Sequence, residues 1–250
     1  MSSNIGNLLF ETCIGHIDDV ALAQKYEIKR IELNCALNLG GLTPSLAMVK
    51  QARALYSGKI IVMIRCRPGG FTYSHKEMAV HFQDIEIFRP YVDGYAFGCL
   101  RDNGEIATEL LGQIREITQG KELAFHRAFD LVTDCDKAMQ ELIICGVDRV
   151  LSGGLKKLAQ DGWQNLRHLQ QKYGQSIVIL AGGGVKANNI LDLAEKTGIK
   201  EFHASLLTMK YNRDSKADLS YATQDENNHY EGLDESQLRE MLNEISGHVV

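Results

Sequence analysis

The chain has 250 residues, 44% of them apolar and 24% charged, with a formal net charge of −5. A chain of this length buries a sizeable core without disulfide or metal staples, and its composition is that of a soluble globular protein. The 27 basic residues form no Lys/Arg block, so the electrostatic footprint of a nucleic-acid binder is missing.

The opening MSSNIGNLLFETC lacks the basic and apolar regions of a signal peptide. LLFETC (8–13) and RIELNC (30–35) begin a series of short apolar runs. GGLTPS (40–45) reads as a turn in which Thr43 or Ser45 caps the next helix. PSLAMVKQARALY (44–56) places Leu46, Val49, Ala52 and Leu55 on one stripe, with Pro44 near the helix start. IIVMIR (60–65) is the third run. SHKEMAVHFQDIEIF (74–88) follows, where Ser74 and Glu77 have capping-box spacing. GYAFG (94–98) and LAFH (123–126) come next, then a helix over TDCDKAMQELIICG (133–146) that stops at Gly146. DRVLS (148–152) and IVILA (177–181) precede the helical KANNILDLAEKTG (186–198), and EFHAS (201–205) is the eighth run. The polar segment 211–232 reads as a loop. DESQLREMLNEI (234–245) reads as a last helix carrying Leu238, Met241, Leu242 and Ile245 at helical spacing, packed on the barrel or on a second copy.

Near-continuous apolar runs this short are characteristic of parallel strands buried on both faces. None is long enough to span a bilayer. Eight strand–helix units predict an α/β fold, a (β/α)8 TIM barrel, with an open doubly wound sheet as the alternative. No linker divides the chain. The expected organisation is one domain over residues 1–250 with its core at about 8–210, and a polar loop plus a C-terminal extra helix over 211–250.

In such a barrel the functional groups stand at the C-terminal strand ends. Side chains alternate in and out, so Glu11 aligns with Cys13, Glu32 with Asn34, Met63 with Arg65 and Arg67, Ala124 with His126, and His203 with Ser205. On the opposite parity the charges would lie under the helices, where an unpaired charge is costly. The lumen mouth is therefore expected to collect Glu11, Glu32, Arg65, Arg67, His126 and His203. Arginines suit bidentate carboxylate or phosphate contacts, while Glu11, Glu32 or His126 suits proton transfer. Arg65 would join these catalytic groups, and Arg67, Arg127, Asp130 and His203 would bind substrate. A plug of ion pairs, Glu11–Arg65 or Glu32–Arg67, is the bland alternative.

Glycines form a second constellation. SGGL (152–155) brings Ser152 and Gly153, and AGGGVKANN (181–189) brings Gly182, Gly183 and Gly184 before a helix. There, exposed N–H groups and the helix N-terminus favour an anion; a tight turn needing positive φ is the alternative. Lys29, Lys59, Lys121 and Lys200 lie at strand starts, so a Schiff-base lysine is missing. No G-x-S-x-G, H-E-x-x-H, Rossmann or Walker pattern occurs.

These stretches resemble the CutC family, named for copper homeostasis, over residues 8 to 210. IELNCALNLGGLTPS, VMIRCRPGGFTYS, DGYAFGCL, FHRAFD, GVDRVLSGG, AGGGV with NNI, and FHAS carry the resemblance. It implies a TIM barrel, a homo-oligomer that is dimeric in bacterial members, a cytoplasmic location and a link to intracellular copper. The family's MIRPRGGDF reads MIRCRPGGF here, so Cys66 replaces a proline and the loop loses an acidic residue; its LTSGG reads LSGG here, one residue shorter, and its TFHRAFD reads AFHRAFD.

The six cysteines, Cys13, Cys35, Cys66, Cys99, Cys135 and Cys145, include no C-x-x-C pair and read as reduced cytosolic thiols. Cu(I) prefers soft thiolate ligands, and the family's cysteine candidates correspond to Cys13 and Cys35. The ionic mouth suits an anionic substrate better, whether the protein is an enzyme or a binder. A third expectation puts Glu11, Glu32, His126 and His203 around a harder divalent ion.

Overall fold

The computed structural model describes residues 8–211 and 229–247. Its eight parallel strands are β1 (Leu9–Ile14), β2 (Arg30–Leu33), β3 (Lys59–Met63), β4 (Gly94–Phe97), β5 (Glu122–Phe125), β6 (Arg149–Ser152), β7 (Val178–Gly182) and β8 (Glu201–Ala204). They are the eight expected runs. Each pairs with its neighbours in sequence, and β8 returns to β1 to close the barrel, so the open-sheet alternative is excluded.

The intervening helices are α1 (Ile17–Lys25), α2 (Leu46–Leu55), α3 (His75–Phe88), α4 (Thr108–Ile117), α5 (Cys135–Ile144), α6 (Trp163–Tyr173) and α7 (Ala187–Thr197). The capping box at Ser74 and Glu77 is present. Ser45 caps α2, Asp134 caps α5, and Gly198 ends α7 in the left-handed conformation. The apolar stripes of α1 and α4 each bury two residues, Val20 with Ala23 and Leu111 with Ile114.

Outward strand residues such as Phe10, Ile31, Val62, Phe97, Phe125 and Phe202 pack under the helices in one continuous core. Inside the barrel, Ile61, Met63 and Ala96 form a small separate apolar cluster. Ala124, Leu151 and Leu180 share the inner face with the ionic groups of the lumen.

After β8, β9 (Leu207–Tyr211) pairs antiparallel with β10 (His229–Leu233), Leu207 opposite Leu233. The segment expected as a loop thus begins and ends in strand, and residues 212–228 lie outside the described residues. Leu-Thr-Met-Lys-Tyr and His-Tyr-Glu-Gly-Leu contain no continuous apolar run, which hid the hairpin. The final helix, α8 (Glu235–Ser246), is capped by Asp234, buries Leu238 and Met241, and packs on α7. Among the described residues no helix is long and apolar enough to cross a membrane.

Candidate functional site

The lumen is built in two levels. The lower one is an ionic floor. Register places Glu11 opposite Arg30 on one side and His203 on the other. Glu11 Oε2 takes the Arg30 Nε–H and lies 3.7 Å from Arg149 Nη1. Arg30 Nη2 reaches Glu201 Oε2 at 2.6 Å, and Arg149 Nε lies 2.9 Å from Glu122 Oε1. Glu11 is therefore paired with Arg30 and Arg149, not with Arg65. Arg30, Glu122, Arg149 and Glu201 were missed by the sequence reading. The same alternation would have found them, since Arg30 stands two before Glu32 and Glu201 two before His203.

Above this floor opens a cavity of about 500 Å³, lined among others by Cys13, Glu32, Asn34, Arg65, His126, Arg127, Lys186 and His203. Glu11 Oε1 holds His203 Nδ1 at 2.7 Å. Burial opposes the charged ring, but Glu32, Cys13 and Glu11 outweigh it and hold the His203 pKa well above its usual value. Burial also acts against ionised Glu11, yet His203, Arg30 and Arg149 together keep its pKa below the ordinary carboxylate range. Glu32 is shifted the other way, raised by burial and by Glu11 against the pull of His203 and Asn34. Asn34 Nδ2 donates to Glu32 Oε1 at 3.0 Å. Two carboxylates flanking one imidazolium thus have opposed proton affinities, the pattern of an acid/base site.

On the other wall, His126 Nδ1 accepts the Ala128 N–H at 3.2 Å, and its ring lies 4.8 Å from Phe71. Burial, aided by the charge of Arg65, lowers the His126 pKa to about 3. Arg65 spends its guanidinium on loop carbonyls, with Nη1 to Leu39 O (3.1 Å) and Gly41 O (3.2 Å) and Nη2 to Gly69 O (2.8 Å). It sits over Phe71 at 5.0 Å. Its charge faces the cavity while its donors tie the loops after β2 and β3 together.

Arg127 Nε donates to Asp130 Oδ2 at 2.7 Å, and its Nη2 to the Lys156 and Lys157 carbonyls. Asp130 also accepts from Ser152 Oγ (2.6 Å), Gly153 N (3.0 Å) and Leu155 N (3.1 Å). Asp130, Ser152 and Gly153 form a latch behind the wall rather than part of its surface. Gly182 makes room, since a Cβ there would come within 2.5 Å of Leu151 Cδ1. Gly183 and Gly184, at φ +103° and +69°, line the cavity with Val185 and Lys186, leading into the N-terminus of α7.

Two expected members lie elsewhere. Arg67 follows the end of β3, where alternation no longer applies. It turns outward to Glu77, to Thr72 O at 2.8 Å and over the Tyr73 ring, and does not line the mouth. Cys35 donates to Thr43 O at 3.1 Å and lines a separate groove with Cys66 and Met48, whereas Cys13 lines the mouth. The expected pair of thiols is therefore divided between two cavities.

Glu11, Glu32 and His203 offer ligand atoms within 4.8 Å of one another, and His126 is not in that set. Glu11 already accepts from Arg30 and holds His203 Nδ1, so two of the three donor groups are engaged within the protein.

The model of the CutC family matches residues 8–208. A CutC family protein of Bacteroides fragilis is 38% identical over 201 residues, 80% of each chain. The human copper homeostasis protein cutC homolog is 34% identical over 198 residues, 79% of this chain and 72% of that one. A CutC crystal structure from Streptococcus agalactiae superposes with a TM-score of 0.75 at 32% identity, covering 78% of this chain and 97% of that one. Family model, relatives and barrel geometry agree over the same stretch, and the chain belongs to the CutC family.

Proposed function

We propose that this chain serves copper homeostasis, the role in the human relative's name, and that its barrel mouth binds a small anion bearing phosphate or carboxylate and transfers a proton on it. One observation carries the chemical part. A single cavity has Glu32 and His203 on one wall, and Arg127, Lys186 and the glycine turn before α7 on another. Arg127 and the turn hold the anion, Glu32 and His203 exchange the proton, Glu11 fixes the His203 ring, and Arg65 supplies field and loop geometry. The family resemblance supports a cytosolic homodimer, and all six cysteines are free thiols.

Calorimetric titration with inorganic phosphate is expected to show binding that weakens with added salt. Gly183→Ala is expected to weaken it at least tenfold. At φ +103° a side chain is strained, and its Cβ would meet Lys157 O at 2.7 Å and Arg127 Nη1 at 2.9 Å. Wild-type protein that ignores millimolar phosphate would end this reading.

Direct Cu(I) binding is the second reading, favoured by Cys13 lying in the same cavity against His203. Competition with a Cu(I) chelator decides it. Because Cys13 and Cys35 lie in separate cavities, a site at Cys13 is expected to be lost in Cys13→Ser and kept in Cys35→Ser. A competitive-strength affinity that the Cys13→Ser/Cys35→Ser double variant loses would put the metal at the thiols.

A further inference from the structure

We infer that the mouth acts on a phosphorylated carbonyl compound, the His126 Nε2–H donating to the carbonyl oxygen while Glu32 takes a proton from the neighbouring carbon. The inference rests on the anion-binding reading above and names the reaction that site performs.

The tautomer of His126 follows from its partner. A backbone N–H only donates, so Nδ1, which receives the Ala128 N–H at 3.2 Å, is the acceptor and the proton of the neutral ring is on Nε2. The ring is 4% exposed, lines the cavity, and its Nε2 is buried with no partner among the described residues. A buried donor without an acceptor carries a desolvation cost that folding alone does not recover. Such a group is the kind a ligand completes.

The ring is also held in place. Phe71 packs on it at 4.8 Å, and Gly98 leaves the space it occupies, since a Cβ there would come within 2.5 Å of Cε1 and 2.6 Å of Nδ1. Arg65, on Phe71's other contact, makes a second positive charge on His126 unfavourable. The result is a fixed, neutral donor, the form suited to an oxygen on which negative charge develops.

Glu32 stands across from it. β2 and β5 are three strands apart in a ring of eight, so their mouth-facing side chains approach from nearly opposite sides. A phosphate seated at Gly183 and Gly184 near Arg127 leaves the carbon end of a short substrate between Glu32 and His126. The carboxylate of Glu32 takes the proton. The C–H electron pair becomes a C=C bond, and the carbonyl π pair moves to the oxygen that His126 holds. Reversal returns a proton to carbon, so no oxidant, reductant or second substrate is needed.

Dihydroxyacetone phosphate in D2O is the probe, followed by NMR. The wild type is expected to exchange the carbon-bound hydrogen next to the carbonyl at least 100-fold faster than buffer, and Glu32→Gln or His126→Phe to abolish this. His126→Gln, whose amide N–H falls near the place of Nε2–H, is expected to recover part of it, which a purely structural histidine would not show. The wild-type Nε2–H signal should not titrate between about pH 5 and 8. 2-Phosphoglycolate, an enediolate mimic, should bind at least tenfold tighter than phosphate, move that signal downfield, and lose its advantage in His126→Phe. Phosphate binding without exchange and without a preference for 2-phosphoglycolate overturns this inference and leaves the anion site standing. Failure of phosphate itself to bind overturns both.

Discussion

Replacing Glu11 with alanine is expected to cost the fold about 3–5 kcal/mol, the usual penalty for breaking a buried ion pair from one side. Glu11 is 1% exposed and is the carboxylate that Arg30, Arg149 and His203 all pair with. Without it the buried guanidiniums of Arg30 and Arg149 share, among the described residues, Glu201 and Glu122 at the strand-start end of the barrel. Urea denaturation checks the loss, and an alanine variant within about 1 kcal/mol of wild type would show that the floor is not a connected unit.

The same cluster sets a pH dependence. Glu11 has a folded pKa below its unfolded one, so its stabilisation is present above the unfolded value and is lost as pH falls through the folded value. His203 has a raised folded pKa. Its stabilisation is complete below its unfolded value and is lost as pH rises through the folded value. Glu32, raised by burial, works against the folded state once pH passes the unfolded carboxylate range. Stability should therefore decline on the alkaline side as His203 deprotonates, and His203→Gln should flatten that decline.

The second large effect is expected at Asp130. Its carboxylate ties Arg127 to Ser152, Gly153 and Leu155, bridging the loops after β5 and β6. Hydrogen bonds to a charged group contribute about 1.5–3 kcal/mol each when measured singly, but these four act on one group and do not add. Asp130→Ala is expected to cost on the order of 3 kcal/mol and to weaken phosphate binding at least tenfold by releasing Arg127. Asp130→Asn keeps the shape and should fall between. Thermal unfolding and phosphate titration on the same samples separate the two losses. An alanine variant with unchanged phosphate affinity would remove Arg127 from the anion site.

Much of this architecture is local, and the sequence by itself determined it. Strand alternation has a period of two residues and depends only on backbone geometry. It therefore placed Glu11, Glu32, His126 and His203 on the inner face, and run length with helix caps specified eight repeating units. Pairing inside the lumen is not local. Which charge meets Glu11 depends on the register of β1 against β2 and β8, and that is set when the barrel closes. Only the tertiary structure gave Glu11 to Arg30 and Arg149 and left Arg65 to bind loop carbonyls. It also turned Arg67 outward and put Cys35 in a groove apart from Cys13. Beyond the last paired residue a side chain no longer inherits its direction from the strand; the loops' own hydrogen bonds decide it.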